Sequence, residues 1–515
     1  MRKNSFLSGS ISALFVVWLA ISSSCSQPVQ YYANPVIAGD IADPSIIRIG
    51  ENYYATGTSS EWAPFYPMFT STDLINWTPT GHIFEKQPEW TRSSFWAPEL
   101  FYHDNKVFCY YTARRNSDGV SYIGVASASS PTEEFTDHGL LIEFGTEAID
   151  AFVFDDNGQL YITWKAYGLD ARPIEIVGSK LSRDGLSLEG EVFSLLVDDE
   201  NIGMEGQHHF KQDGYYYMIY STHGCCGPNS DYQVAVARSK SFKGPYEKYE
   251  GNPILYGGDD FLSCGHGTAV TTPDGRMFYL FHAYLKDEGF FQGRQPVLQE
   301  IKVNEDGWVY FPTGKKAIKT QQVPFPGTIQ QPASNLEDDF DGEKLRPEWT
   351  WNYPFSEIWH ELKDSKLFLS GIPKENNAYG TVLCLRPLAP DYSCETEVAV
   401  SNASVKGLTI YGDSKHLVFL AYSNDEVQLK LVKNGVEELI YSSISDSETV
   451  FLKMEITKGC FCKFLWSADG SDWVTVNEEA MDLRQLVRWD RIMRPGLIHI
   501  GDPDIPAEFA YFRVQ

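Results

Sequence analysis

Five polar residues stand where chemistry would need them. They are Asp43 in "IADPSII", Glu99 in "WAPELFY", Asp150 in "AIDAFVF", Glu205 in "GMEGQHHF" and His266 in "CGHGTAV". Each lies a few residues ahead of a turn, at the entrance of an aromatic, β-branched run. A carboxylate at the mouth of a buried strand is costly to desolvate unless a partner or a task offsets the cost. Four carboxylates and a histidine at matching places therefore read as one converging set. With no Ser or Cys nucleophile constellation beside them, they point to acid–base work. One carboxylic acid can protonate a leaving oxygen while a second carboxylate activates water or attacks directly. A third keeps the acid protonated, because two close negative charges resist ionising together.

The elements that must position these residues repeat along the chain. The turns read "GENYYATGTSS" from Gly50, "HDNKVFCYYTAR" from His103, "DDNGQLYITWKA" from Asp155, "QDGYYYMIYSTH" from Gln212 and "PDGRMFYLFHAY" from Pro273. Asn-Gly and Asp-Gly between apolar runs signal hairpins. Successive turns are roughly 50 to 60 residues apart, the length of a four-stranded blade with its loops. Helical periodicity is scarce. The spacing predicts an all-β chain beginning with a five-bladed β-propeller over residues 31–320, whose blades leave only short, protected edges. The first strand of each blade would line the central channel, so polar residues at equivalent strand starts would meet at one mouth.

Taken together, "ADPSIIRIGENYYATGTS", "WAPEL", "IDAFVFDDNGQLYITW", "EGQHHFKQDGYYYMIYS" and "GHGTAV" resemble, in order and spacing, glycoside hydrolase family 43. The resemblance implies a five-bladed propeller that hydrolyses α-L-arabinofuranosides and β-D-xylosides with inversion. It also implies roles. Asp43 would be the general base, Glu205 the general acid, and Asp150 the residue that raises the acid's pKa and orients it. Arg294, in "QGRQPVLQEI", matches a sugar-binding arginine. His266 matches a histidine near a channel calcium ion; calcium prefers oxygen ligands, so His266 would act through water or as an unusual ligand. No cofactor is required for the chemistry itself. Trp96 would stack on a sugar face, and Glu99 would bond a substrate hydroxyl or cap its blade. Trp62, Phe65 and Tyr66 form an aromatic stretch that could wall a subsite. The family often carries proline and histidine after its carboxylates; Ala151 and Gln207 depart from that pattern and bear on subsite shape.

Past Ile318 the five-fold pattern ends. "QQVPFPGTIQQPASN" reads as a linker over 321–335. Residues 336–515 alternate as short strands, with "KNGV" at Lys433 joining two of them, and predict an antiparallel β-sandwich. Its opening "DDFDG" and closing "AEFAYFRV" resemble the concanavalin-like domain that follows many family 43 propellers. Carbohydrate binding, a loop on the active-site rim and bracing of the propeller are all open roles for it.

The first 25 residues have a basic start, an apolar run from Ile11 to Ile21 and small residues before Cys25. This pattern fits a signal peptide, and Cys25 resembles the lipidated cysteine of bacterial lipoproteins. The expectation is an exported protein, periplasmic or anchored in the outer membrane, touching membrane only through that lipid. The formal charge of -27 repels nucleic acid and anionic lipid surfaces. No cysteine pair shows the CxxC spacing of a zinc site. Adjacent Cys225 and Cys226 could form a vicinal disulfide or stay as thiols, and Cys384 and Cys394 could pair. The resulting expectation is an inverting exo-glycosidase that removes α-L-arabinofuranosyl residues from plant cell-wall glycans. A β-D-xylosidase of the same fold is the alternative within the class; a non-catalytic glycan-binding propeller and a structural adhesin are the alternatives outside it.

Overall fold

Each repeated turn closes the first hairpin of a four-stranded sheet. Ile49 pairs with Asn52, His103 with Lys106, Asp156 with Gln159, Gln212 with Tyr215 and Thr271 with Met277. Asp104-Asn105, Asn157-Gly158 and Asp213-Gly214 all have positive φ, the backbone that two-residue hairpin loops require. The computed structural model describes Met1 and residues 29–167, 172–331, 335–374, 377–487 and 491–515. The signal-peptide and Cys25 expectations fall outside these residues.

Five four-stranded antiparallel sheets follow in chain order, each built from consecutive strands. Their inner strands are Ser45–Ile49, Thr91–His103, Ala148–Asp156, Met204–Gln212 and Phe261–Thr271, and they neighbour one another in a closed ring. This is the five-bladed propeller. Among the described residues no blade borrows a strand from the other end of the chain, so the ring closes by packing. Ile46, Tyr53 and Phe69 of the first blade meet Val270, Phe278 and Leu298 of the fifth. A strap adds to this closure: Tyr31–Ala33 pairs with Thr320–Gln322, and Asn34 exchanges two hydrogen bonds with the backbone of Leu298.

The C-terminal region is a sandwich of a nine-stranded and a seven-stranded sheet, with a core that includes Leu367, Leu408, Leu452 and Phe509. Lys433 pairs with Val436 across Asn434-Gly435, as the sequence predicts. Two expectations change. Trp62, Phe65 and Tyr66 do not wall a subsite; all three are buried. Trp62 packs edge-on to Tyr411 under the Arg494 guanidinium, within an apolar cluster on the seven-stranded sheet. Phe65 stacks on Phe95 and meets Tyr353, while the Tyr66 hydroxyl donates to the Thr112 carbonyl. Alternation alone cannot tell an aromatic facing sugar from one facing a second domain. Cys384 and Cys394 are both free: Cys384 belongs to the Trp62 cluster and Cys394 to the sandwich core. Cys225 and Cys226 are bonded to each other.

Candidate active site

Four of the five inner strands are distorted near their start. Register shifts lie between Trp96 and Glu99, Ile149 and Phe152, Glu205 and His208, and Gly265 and Gly267. At these bulges Ala97, Asp150, Gly206 and His266 have positive φ, as does Asp43 just ahead of the first blade's inner strand. Left-handed backbone is uncommon for residues other than glycine and gathers at functional sites. The equivalent places are therefore Asp43, Ala97, Asp150, Gly206 and His266. Glu205 sits one residue before its bulge and Glu99 two residues after its own. Counting back to the turns did not resolve these offsets, because a bulge adds a residue without lengthening the strand. Gly206 is also needed for space: a Cβ there would lie 2.7 Å from His266 Cγ.

The bulges are stitched from blade to blade. Thr58 Oγ1 accepts the Ala97 N–H at 2.9 Å, Thr112 Oγ1 accepts that of Asp150 at 3.2 Å, Ser221 Oγ that of His266 at 2.7 Å, and His282 Nδ1 that of Asp43 at 3.0 Å. In each case the acceptor belongs to the preceding blade around the ring. The site geometry is thus fixed by blade packing as well as by local turns.

Asp43 is buried among cations and donors. Arg294 Nη1 lies 3.3 Å from Oδ1, Thr58 Oγ1 donates to Oδ2 at 2.6 Å, and His266 Nδ1 is 3.5 Å from Oδ1. Burial pushes this carboxyl up, but the neighbouring positive groups, the Arg294 guanidinium first, outweigh it and hold the group well below the usual carboxylate range. Asp43 is therefore ionised. Burial pulls the His282 ring down to about 4, so it stays neutral and its Nδ1 is free to accept the Asp43 amide. Asp150 Oδ2 stands 3.8 Å from the same His266 nitrogen. Burial, with the Glu205 and Asp43 charges added, pushes Asp150 up to about 7 against the pull of His266 and Lys165. The Asp150 carbonyl accepts the Gln207 side-chain amide at 2.6 Å, which gives that departure from the family pattern a structural role.

Glu205 is held by two donors. Lys165 Nζ lies 2.9 Å from Oε2, and the Tyr232 hydroxyl donates to Oε1 at 3.0 Å. Burial pushes Glu205 up, yet the Lys165 ammonium brings it below its ordinary value. Burial and the surrounding carboxylates keep the Tyr232 phenol protonated, so it remains a donor. The sequence expectation that Asp150 raises Glu205 does not hold in the resting site: Lys165 outweighs the neighbouring carboxylates, and Asp150 is the carboxyl that is pushed up.

Of the remaining expected residues, Arg294 is buried and turned onto Asp43. Trp96 is half-buried, at the place in its blade that Glu205 holds in the fourth. Its indole Nε1 is buried with no hydrogen-bond partner among the described residues, and the Arg114 guanidinium stands 5.5 Å from its ring. Glu99 lies one layer deeper. It accepts the Ser45 hydroxyl at 2.7 Å across the blade boundary, and burial pushes it up to about 8, so it caps its blade as a neutral acid. Among the described residues, no three His, Cys, Asp or Glu side chains form a metal-holding group. A calcium ion beside His266 would take most of its oxygen ligands from water. Sequence reading missed Thr58, Lys165, Tyr232 and His282. Lys165 in "ITWKAY" and His282 in "YLFHAY" are polar residues inside otherwise apolar second strands, and that interruption was the available signal.

A family model for glycosyl hydrolases family 43 matches residues 32–309, and one for the β-xylosidase C-terminal concanavalin A-like domain matches residues 337–493. A xylan 1,3-β-xylosidase of a Vibrio species is 27% identical over 491 residues, 86% of this chain and 90% of that protein. A non-reducing end α-L-arabinofuranosidase of Bacteroides ovatus is 28% identical over 370 residues, 67% of this chain and 65% of that protein. The solved structure of a xylan β-1,4-xylosidase from Bacillus halodurans superposes with a TM-score of 0.81 at 23% identity, covering 94% of this chain and 100% of that one, and shares the fold.

Proposed function

Because the chain belongs to glycosyl hydrolases family 43 and is a glycoside hydrolase, we propose that it is an inverting, exo-acting enzyme that removes α-L-arabinofuranosyl residues from plant cell-wall glycans. The observation that carries the mechanism is the unequal treatment of three buried carboxylates: Asp43 is held well below the usual carboxylate range, Lys165 brings Glu205 below its ordinary value, and Asp150 is pushed up to about 7. In a single displacement, Asp43 takes a proton from a water molecule as its oxygen attacks the anomeric carbon. The bond to the leaving oxygen breaks, and that oxygen takes the proton delivered by Glu205. Asp150, the raised carboxyl, supplies the proton that passes to Glu205 and orients the acid. Arg294, Thr58 and His282 keep the base ionised and aimed, and Trp96 offers a face for the sugar ring. The basic and apolar start of the chain, with Cys25, supports export to the cell envelope, where such glycans are met.

The arabinoside reading rests on "CCG" at Cys225 and on "DYQVAVARSKSFKGPY", which resemble arabinoside- and arabinan-cleaving members. A β-D-xylosidase is the second reading, favoured by the match of the C-terminal region to the β-xylosidase domain model and by the Vibrio relative. Hydrolysis of 4-nitrophenyl α-L-arabinofuranoside and β-D-xyloside by the purified protein, with Asp43→Asn as blank, separates the two. Glu205→Gln tests the acid: turnover of natural glycosides should fall on the order of 100-fold or more, and that of activated aryl glycosides much less. Equal losses on both would remove Glu205 from that role.

A further inference from the structure

In the second, fourth and fifth blades, one position of the second strand carries Thr112, Ser221 or His282, facing Trp96, Glu205 or Gly265 across the hairpin. These side chains are acceptors, and each takes the backbone N–H of the next blade's bulge residue. In the third blade the same position, opposite Ile149, is Lys165. An ammonium has three donors and no acceptor, so Lys165 cannot take a backbone N–H. It reaches the Glu205 carboxylate instead, 2.9 Å from Oε2, and it lies 3.4 Å from Glu147 Oε2. The Lys165 side chain is 12% exposed and that of Glu147 is 9% exposed.

This arrangement poses a problem for an acid. A protonated Glu205 is neutral and cannot balance a buried ammonium, and an uncompensated buried charge is strongly unfavourable. Glu147 resolves the problem, because it places a second carboxylate within reach of the same nitrogen. We propose that Lys165 is a positioning residue for the acid, an ammonium shared by Glu205 and Glu147 that passes to Glu147 when Glu205 carries its proton. The transfer frees Glu205 Oε2 to present its O–H to the leaving oxygen while Tyr232 keeps Oε1 in place. This inference rests on the reading of Glu205 as the general acid.

The groups facing this trio are Asp150 from the third blade, Tyr232 from the fourth and His266 from the fifth. Changing Lys165 or Glu147 leaves all three in place. The test is therefore the pH profile of kcat/KM for Lys165→Met and Glu147→Gln in the full chain. The alkaline limb reports loss of the acid's proton. Removing the ammonium raises the acid's pKa and moves that limb to higher pH. Removing Glu147 leaves Glu205 as the ammonium's remaining close carboxylate, holds it ionised and moves the limb to lower pH. Shifts of about one pH unit in opposite directions are expected, with Lys165→Arg restoring the limb toward its original place. A merely structural role would lower activity without moving the limb. Unmoved limbs, or limbs moving the same way in both variants, overturn the proposal. If instead Glu205→Gln harms activated and natural glycosides alike, the underlying reading fails, and that result is distinct from any limb position. Should Lys165→Met not fold, the Glu147→Gln limb decides alone: a downward shift supports the proposal, and none refutes it.

Discussion

The rings of Tyr232 and His282 stack 5.6 Å apart, nearly parallel, and each holds one end of the reaction. Tyr232 donates to Glu205, and His282 accepts the backbone amide of Asp43. Acid and base are thereby braced against one another through a single aromatic contact between the fourth and fifth blades. Gly265 makes room for it, since a Cβ there would lie 2.3 Å from the Tyr232 ring.

Tyr232→Phe keeps the stack and removes only the hydroxyl. A hydrogen bond to a charged group is worth about 1.5–3 kcal/mol, so kcat/KM on natural glycosides should fall roughly tenfold or more, with Tm little changed. Tyr232→Leu should lose the stack as well and lower Tm. Steady-state kinetics and thermal unfolding of the two variants, side by side, would separate the hydroxyl's contribution from the ring's.

Arg294→Met addresses the base. After burial, which acts the other way, the Arg294 charge is the largest influence on Asp43 and holds it ionised. Without that charge the pKa of Asp43 must rise. The base then loses its charge at higher pH, so the acidic limb of kcat/KM should move toward neutrality while the alkaline limb stays. An unchanged acidic limb accompanied by a raised KM would make Arg294 a sugar ligand and nothing more.

Glu99 links the channel to stability. Burial pushes its folded-state pKa up to about 8, above the ordinary value of 4.5. Between those values the unfolded chain has released the proton and the folded protein still holds it. Stability therefore falls as pH rises from about 5 to 8, by up to about 1.4 kcal/mol per unit. Glu99→Gln keeps an oxygen to accept the Ser45 hydroxyl and cannot ionise. Thermal unfolding of wild type and variant across this range should show a gap that opens in the variant's favour as pH rises. A constant gap would mean that Glu99 is already ionised in the folded protein.

The sequence by itself determined the five blades, the sandwich after them and the residues brought to one channel mouth. That information is local. Asp-Asn, Asn-Gly and Asp-Gly turns demand positive φ, alternating apolar runs demand sheets, and a carboxylate at a buried strand's entrance demands a reason. Tertiary structure alone decided how those carboxylates differ. Glu205 meets Lys165 40 residues away and Tyr232 27 away, while Asp43 meets His282 across 239 residues. Bulges moved Glu205 and Glu99 off the common register, and Trp62 went to the sandwich rather than to the channel. A carboxyl's proton depends on the charges within a few ångströms of it, and a strand's sequence does not say which blade, or which domain, will supply them.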